Sequence, residues 1–438
     1  MPTLQPYKKY NPVVYDYTKQ LPDGWQLLPN IAIFEERIDR GHTKEELLSV
    51  TIGRGVIKQT EVEIKKDNSN EDKSKYKLIK VGDIAYNRMR MWQGALGYSN
   101  YQGITSPAYV VLKPKMKINP RFFHYMFRTT FYTNYSKRFS YGIVDDQLSL
   151  RYTDFKRMYT ILPPLEVQNE IVKYLDKKNE AIEKFIRIKE KLIEIIIERE
   201  EKEISMIVTQ GLEKKNFKES GSIWLGLIPS NWNLIPIGYL LKFISYGFTN
   251  PLPTTNEGPF MLTANDIGDG EIFYSSCRRT SEKDFKKLSE KSVPLKGDIL
   301  LTKDGTLGRT SLFNGEQTCI SQSVALLRVS NKKTSSIFIE TVLRSKCYRD
   351  KMIYDAEGTT IKHIYITKLV KMKIALPPKE EQVEIIKRIN LIRKENKIAI
   401  ERIKKEIESI KEYREAIITM VVTGKLNVSE SKKQLQLN

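Results

Sequence analysis

Two stretches of this chain carry apolar residues at helical spacing over unusual lengths. In the later one, Ile400, Ile403, Ile407, Ile410, Arg414, Ile417 and Val421 alternate steps of three and four, and only Arg414 breaks the apolar series. That period predicts a coiled-coil face. The earlier stretch has a broader stripe through Ile171, Leu175, Ile182, Phe185, Leu192 and Ile196 to Ile204, Ile207 and Val208. Neither contains a Gly or Pro before Gly211 or Gly424, which mark natural stops. A helix from 166 to 208 would be roughly 65 Å long at about 1.5 Å per residue. A helix of that length needs an equally long partner, and an antiparallel pairing of the two is predicted because the intervening segment must bring the chain back. Residues 1–160 and 213–374 differ in pattern: short apolar runs such as 106–114, 297–302 and 323–330 read as strands between turns, with a helix over 121–139.

The helical stretches open on nearly the same sequence. Residues 161–176 (ILPPLEVQNEIVKYLD) and 375–390 (ALPPKEEQVEIIKRIN) match at 8 of 16 positions without a gap, where composition alone gives roughly one. The double prolines suit the turn before a helix, and Glu166, Glu170, Glu380, Glu381 and Glu384 complement the helix dipole. The offset of 214 recurs where ISMIVT (204–209) lies over ITMVVT (418–423), so the unit is duplicated. The segments before the helices echo each other too. Leu21-Pro22 and Trp25 parallel Ile228-Pro229 and Trp232, and Gly82-Asp83-Ile84 parallels Gly297-Asp298-Ile299. The pattern predicts an α+β chain with a pseudo-twofold internal repeat: globule, long helix, globule, long helix.

Charge narrows the function. Lys+Arg 73 against Asp+Glu 53 leaves a net +20 over 438 residues, which suits a polyanionic partner, most often nucleic acid. A general enrichment in lysine would give the same number. Three scattered cysteines exclude a disulfide framework and lack metal-ligand spacing. No apolar run is long enough for a membrane span, and the first residues lack a secretory signal, so a cytoplasmic protein is expected.

Catalytic chemistry is hard to find. Asn11-Pro12-Val13-Val14 and Asn250-Pro251-Leu252 approach an amino-methyltransferase tetrapeptide but lack the aromatic that stacks a flipped base. Neither a Walker A sequence nor a Gly-rich S-adenosylmethionine loop is present. Glu63-Ile64-Lys65 has the form of half a nuclease pair but lies in a charged stretch that reads as a solvated loop. His42, His124 and His363 stand apart from any carboxylate or Cys pattern, and Gly305-Thr306-Leu307-Gly308 is too short for a phosphate cradle and reads as a turn. No catalytic or metal site is expected.

Residues 217–232 (FKESGSIWLGLIPSNW) resemble the opening of a target-recognition domain in the DNA-specificity subunits of type I restriction–modification systems, through Lys218, Ser220, Gly221, Trp224, Gly226, Ile228, Pro229 and Trp232. Leu162–Gln168 and Leu376–Gln382 resemble the start of that family's two helical regions, and the Gly-Asp-Ile-Leu, Gly, Gly, Ser-Gln series over 297–322 is similar to its recognition core. The first globule keeps only Leu21-Pro22-Asp23-Gly24-Trp25 of the opening. The resemblance implies recognition domains at 1–160 and 213–374, helical spacers at 161–212 and 375–428 forming an antiparallel coiled coil, and a polar tail at 429–438. It implies a non-catalytic subunit that binds a bipartite site in double-stranded DNA, one half-site per domain, with helix length setting the unread spacer. Two methyltransferase subunits would dock on the outer helix surfaces, for which Ile186, Ile188, Ile195 and Ile197 are off-seam candidates, and restriction/translocase subunits would join through them. S-adenosylmethionine, ATP and magnesium would belong to those partners. A coiled-coil scaffold with two protein-binding heads is the alternative.

Reading needs side chains that match base edges, and positioning needs cations. Asn87, Arg88, Arg90, Trp92 and Gln93 follow the first Gly-Asp-Ile strand and form a candidate reading loop; an equal alternative is that Met89, Met91 and Trp92 alternate into the core while the arginines face solvent. Lys303, Thr306 and Arg309 mirror that loop in the second globule. Arg151 after the Tyr141–Gln147 segment, and Thr359, Thr360, Lys362 and His363 in the Glu357–His363 segment, are further DNA-contact candidates, with a locally hydrogen-bonded role as the alternative for His363. Arg278, Arg279, Lys283, Lys286 and Lys287 read as a solvated helix face, with phosphate contact as the alternative.

Overall fold

Each Leu-Pro-Pro ends a strand and turns the chain into a long helix. In the computed structural model, which describes residues 4–15, 18–62, 72–142, 148–213, 216–330, 332–358 and 362–429, the helices span Leu165–Gln210 and Lys379–Val422. The chain divides into two compact units, residues 1–189 with 404–438, and residues 190–403. Each unit therefore holds a segment of both long helices.

Within each unit the two segments run antiparallel. In the first, Lys189 pairs with Glu406 (2.6 Å), Glu183 with Arg414, and Glu170 accepts from Ser429, so partner numbers fall as numbers rise. In the second, Glu200 accepts from Asn396 (2.9 Å) and Glu203 pairs with Arg388 (3.2 Å). The predicted seam is buried at Ile403, Ile407, Ile417 and Val421, and Arg414, its one polar member, is half-exposed on Glu183. The earlier stripe needs correcting. Phe185 and Leu192 are exposed, whereas Ile186, expected off the seam, is buried with Ile182. Two apolar rows lie side by side on that helix, and spacing alone cannot say which one faces the partner.

The sheets of the two units have the same strand order. The first is antiparallel, Phe34–Glu36, Tyr109–Pro114, Ile84–Asn87, Leu96–Tyr98; the second is Leu241–Tyr246, Val324–Val329, Ile299–Thr302, Thr310–Leu312. The Gly-Asp-Ile motif starts the third strand of each. Gly82 (φ +94°) and Gly297 (φ +90°) take the left-handed conformation that glycine adopts without a Cβ penalty. The aspartate then closes its own turn, accepting from Lys80 N in the first unit and Leu295 N in the second. It also takes both arms of an arginine: Asp83 holds Arg37 at 2.7 and 3.0 Å, and Asp298 holds Arg328 at 2.9 and 2.8 Å. Ile84 and Ile299 follow into the core with no exposed surface.

The helix predicted over 121–139 is two, Pro120–Arg128 and Thr130–Phe139. Thr129 breaks it with extended backbone, and its side chain caps the second part by accepting from Tyr132 N. Ser345 separates Ser336–Arg344 from Lys346–Tyr354 in the second unit with the same extended backbone, but its hydroxyl donates back to Val342 O and does not cap the second helix. The opening that the first unit seemed to lack is replaced by structure: Tyr10–Tyr15 pairs with Thr18–Pro22 as Phe217–Glu219 pairs with Leu227–Pro229, both registers placing an aromatic opposite the proline before the tryptophan. That tryptophan packs on a helix-ending glycine. A Cβ on Gly424 would lie 3.0 Å from Trp25, and one on Gly211 would lie 3.2 Å from Trp232. Arg278–Arg279 is a strand, not a helix face, and Arg279 stacks on Phe260 at 3.9 Å; the helix nearby covers only Glu282–Phe285.

The repeated glutamine of LPPxxxQ is a buried clamp. Gln168 donates to Pro163 O (2.7 Å) and accepts from Asn119 N (2.8 Å); Gln382 donates to Pro377 O (2.9 Å) and accepts from the Thr334 hydroxyl (2.8 Å). Each ties a long helix to the globule before it. Replacing either with alanine leaves a buried carbonyl and a donor without partners, and is expected to cost about 1–3 kcal/mol. Urea unfolding checks this, and a loss below about 0.5 kcal/mol at both positions would contradict it.

Candidate nucleic-acid interface

The two predicted loops of each unit meet through one equivalent hydrogen bond. In the first unit Leu150 N–H donates to Arg88 O (2.9 Å); in the second, Ile364 N–H donates to Lys303 O (3.0 Å). The donors are 214 residues apart and the acceptors 215, so the repeat's register extends into the donor loops and is shifted by one residue in the acceptor loops.

In the first unit Asn87 is committed to the turn. Its side-chain oxygen accepts from Met89 N (2.9 Å), and its backbone accepts from Arg90 N. The alternation into the core holds in part. Met91 is fully buried, Met89 is exposed, and Trp92 lies half-buried, donating to Met89 O with the Lys137 ammonium over its ring. Arg90 and Gln93 are exposed and Arg88 half-buried. Arg151, exposed, precedes the short helix Tyr152–Phe155 and stands next to the bond that joins the loops. Of the Tyr141–Gln147 segment, residues 143–147 lie outside the described residues, while Tyr141 pairs with Ser149 and is exposed.

In the second unit the turn over 303–309 is closed by Thr302, whose hydroxyl donates to Thr306 O and accepts from Arg309 N. Gly305 (φ +73°) and Gly308 (φ +77°) make it a turn as the sequence suggested. Thr306 is exposed and Arg309 half-buried. Lys303 reaches Asp304 at 3.0 Å, and Asp304 also holds His363 Nδ1 at 2.6 Å. His363 therefore has its local partner, but the partner comes from the other loop. Lys362 is exposed; Thr359 and Thr360 lie outside the described residues. So does the Glu63-Ile64-Lys65 candidate.

Tyr246 and Lys291, which the sequence did not single out, and Asn250, weighed there only as part of a methyltransferase tetrapeptide, line an open cleft beside this site. The apolar strand preceding Tyr246 was the available signal. No group of His, Cys, Asp and Glu able to hold a metal occurs among the described residues, and no described helix is long and apolar enough to cross a membrane. His124 is half-buried, and desolvation and the Arg128 and Arg121 charges push its pKa down to about 3, which favours the neutral ring. Its Nδ1 accepts from Tyr98 N (3.2 Å), a structural role.

Comparison with known proteins agrees with this duplicated layout. The family model for the type I restriction modification DNA specificity domain matches residues 47–194 and again 230–409. A putative type I restriction enzyme MjaX specificity subunit of Methanocaldococcus jannaschii is 28% identical over 393 residues, 86% of each chain. Among solved structures, a chain from work on the assembly and conformational transition of the type I R-M system matches with a TM-score of 0.70 at 17% identity, over 93% of this chain and 100% of that one. The HsdS subunit from Thermoanaerobacter tengcongensis matches with a TM-score of 0.54 at 20% identity, over 93% and 98%. One domain model matched twice, on two units with the same sheet order and the same loop-to-loop bond, decides the matter: the chain belongs to the type I restriction–modification DNA specificity family and is a DNA-specificity subunit.

Proposed function

We propose that this subunit reads a bipartite site in duplex DNA, one half-site per unit, through the loops that meet at Arg88/Leu150 and at Lys303/Ile364. The carrying observation is that equivalent bond, which holds two polar loops together in each unit while their side chains differ. A constant frame bearing different readers suits two unlike half-sites. Lys303, Arg90, Arg151 and Lys362 would contact phosphates, and Gln93, Thr306 and Arg309 would face base edges, with Thr359 and Thr360 as further contacts. We take residues 1–160 and 213–374 as the recognition domains, joined by spacers 161–212 and 375–428.

Catalysis is assigned to partners. Two methyltransferase subunits would supply S-adenosylmethionine chemistry and would dock on apolar side chains that the long helix leaves in solvent, Phe185, Ile188, Leu192, Ile195 and Ile197. Restriction/translocase subunits would bring ATP and magnesium.

The test is methylation mapping of DNA from cells carrying this chain and its methyltransferase. The expected result is one motif split by an unread spacer, bound by the complex with affinity that falls steeply with salt. A continuous, unsplit motif would sink the proposal.

A further inference from the structure

The second unit has an open cleft of about 670 Å³ that none of the predicted loops accounts for. Its wall is the chain leaving the strand Leu241–Tyr246, and its floor is the turn at 287–292. The exit is sharply built. A Cβ on Gly247 would lie 1.7 Å from Ile320 O, so only glycine passes there, and Phe248 N–H then donates to Ile320 O (3.0 Å). Opposite, the Ser245 hydroxyl donates to Lys291 O (2.8 Å) and Ile320 N–H donates to Ser292 O (2.9 Å), fixing the floor to the wall.

This frame places polar and aromatic groups in solvent. Tyr246 is 50% exposed, and the Lys303 ammonium lies 5.6 Å from its ring centroid, which joins the cleft to the 303–309 loop. Asn250 is exposed, and its side-chain amide has no hydrogen-bond partner among the described residues. Lys291 is exposed with no acidic partner among them. The equivalent place in the first unit is built differently. The strand Phe34–Glu36 runs into Arg37, which is held on Asp83, and the hairpin Leu48–Thr51/Gly55–Lys58 follows. The frame is shared and this corner is not, which is what a reader of one particular half-site requires.

We propose that this cleft is a third DNA-reading element of the second unit, with Tyr246 and Asn250 against base edges and Lys291 on a phosphate. The occupant is duplex DNA because the cleft is rimmed by unpaired cation, amide and phenol and adjoins the loops assigned above; the inference rests on that assignment. An asparagine amide pairs with adenine in the major groove, and a lysine on phosphate carries no sequence information.

Tyr246→Ala, Asn250→Ala and Lys291→Ala are each assembled with the methyltransferase and mapped for methylation. The first two are expected to lose about tenfold discrimination at one or more base pairs, all within one half-site, with the other half-site and the spacer unchanged. Lys291→Ala is expected to weaken binding equally for all sequences and to lower the salt slope by about 1. Should Tyr246→Ala fail to assemble, Asn250→Ala on its exposed segment decides. Unchanged base preference in the Tyr246→Ala and Asn250→Ala complexes, where the wild-type complex reads a split motif, overturns the cleft alone, whereas an unsplit wild-type motif overturns the reading beneath it.

Discussion

Replacing Asp298 with alanine is expected to destabilise the second unit by about 3 kcal/mol, and Asp83→Ala to do the same in the first. Both carboxylates are 2% exposed and hold an arginine with both oxygens while closing their own turn. Removing one member of a buried pair strands the other, at about 3–5 kcal/mol. The lower end applies because Arg328 keeps 22% and Arg37 14% of its side chain in solvent. The turn amide of Leu295 or Lys80 loses its acceptor as well. Exposed pairs such as Lys191–Glu194 and Lys202–Glu198 are screened by solvent and are expected to contribute little. The double variant Asp298→Leu with Arg328→Met is expected to recover much of the loss, since no charge is then stranded. Hydrogen exchange should report loosening confined to the sheet that contains residues 299–302 and 324–329. A loss under about 1 kcal/mol for Asp298→Ala, or equal loosening in both units, would contradict this.

That arginine also marks how far the sequence could be read. Gly-Asp-Ile was legible as a repeat, and its order before an apolar strand placed it correctly. Its partner was not legible, because Arg37 follows the end of the first strand of one sheet while Arg328 lies on the second strand of the other. The same charge is supplied from different places, and no fixed spacing records it. The long helices were legible because a heptad seam without Gly or Pro has few alternatives. Their facing was only half legible: Arg414 interrupts the later seam and is satisfied by Glu183, whereas the earlier helix carries two apolar rows and Phe185 fell on the wrong one. His363 looked isolated because Asp304, 59 residues before it, meets it only when the two loops fold together. The LPPxxxQ glutamine stood out as repeated, but its job became visible only with Asn119 and Thr334 beside it.

Gly247→Ala is expected to cost at least about 3 kcal/mol, more than an ordinary overpacking substitution. The added carbon would meet Ile320 O at 1.7 Å, Ile320 C at 2.3 Å and Ser321 O at 2.7 Å, all main-chain atoms that no side-chain rotation can clear. Relief requires parting the strand end at Tyr246 from the strand Thr318–Ile320, which breaks the Phe248 N–H bond to Ile320 O. Gly305 is the informative control. Nothing lies within 4 Å of a Cβ there, so Gly305→Ala meets only the left-handed φ of +73° and should cost about 1–2 kcal/mol. Urea unfolding of the two variants separates the mechanisms, with the extra exchange in Gly247→Ala confined to residues 243–248 and 318–322. Equal costs at the two glycines would mean that the backbone moves aside freely, and that the corner beneath Tyr246 is not the rigid platform a base-reading side chain needs.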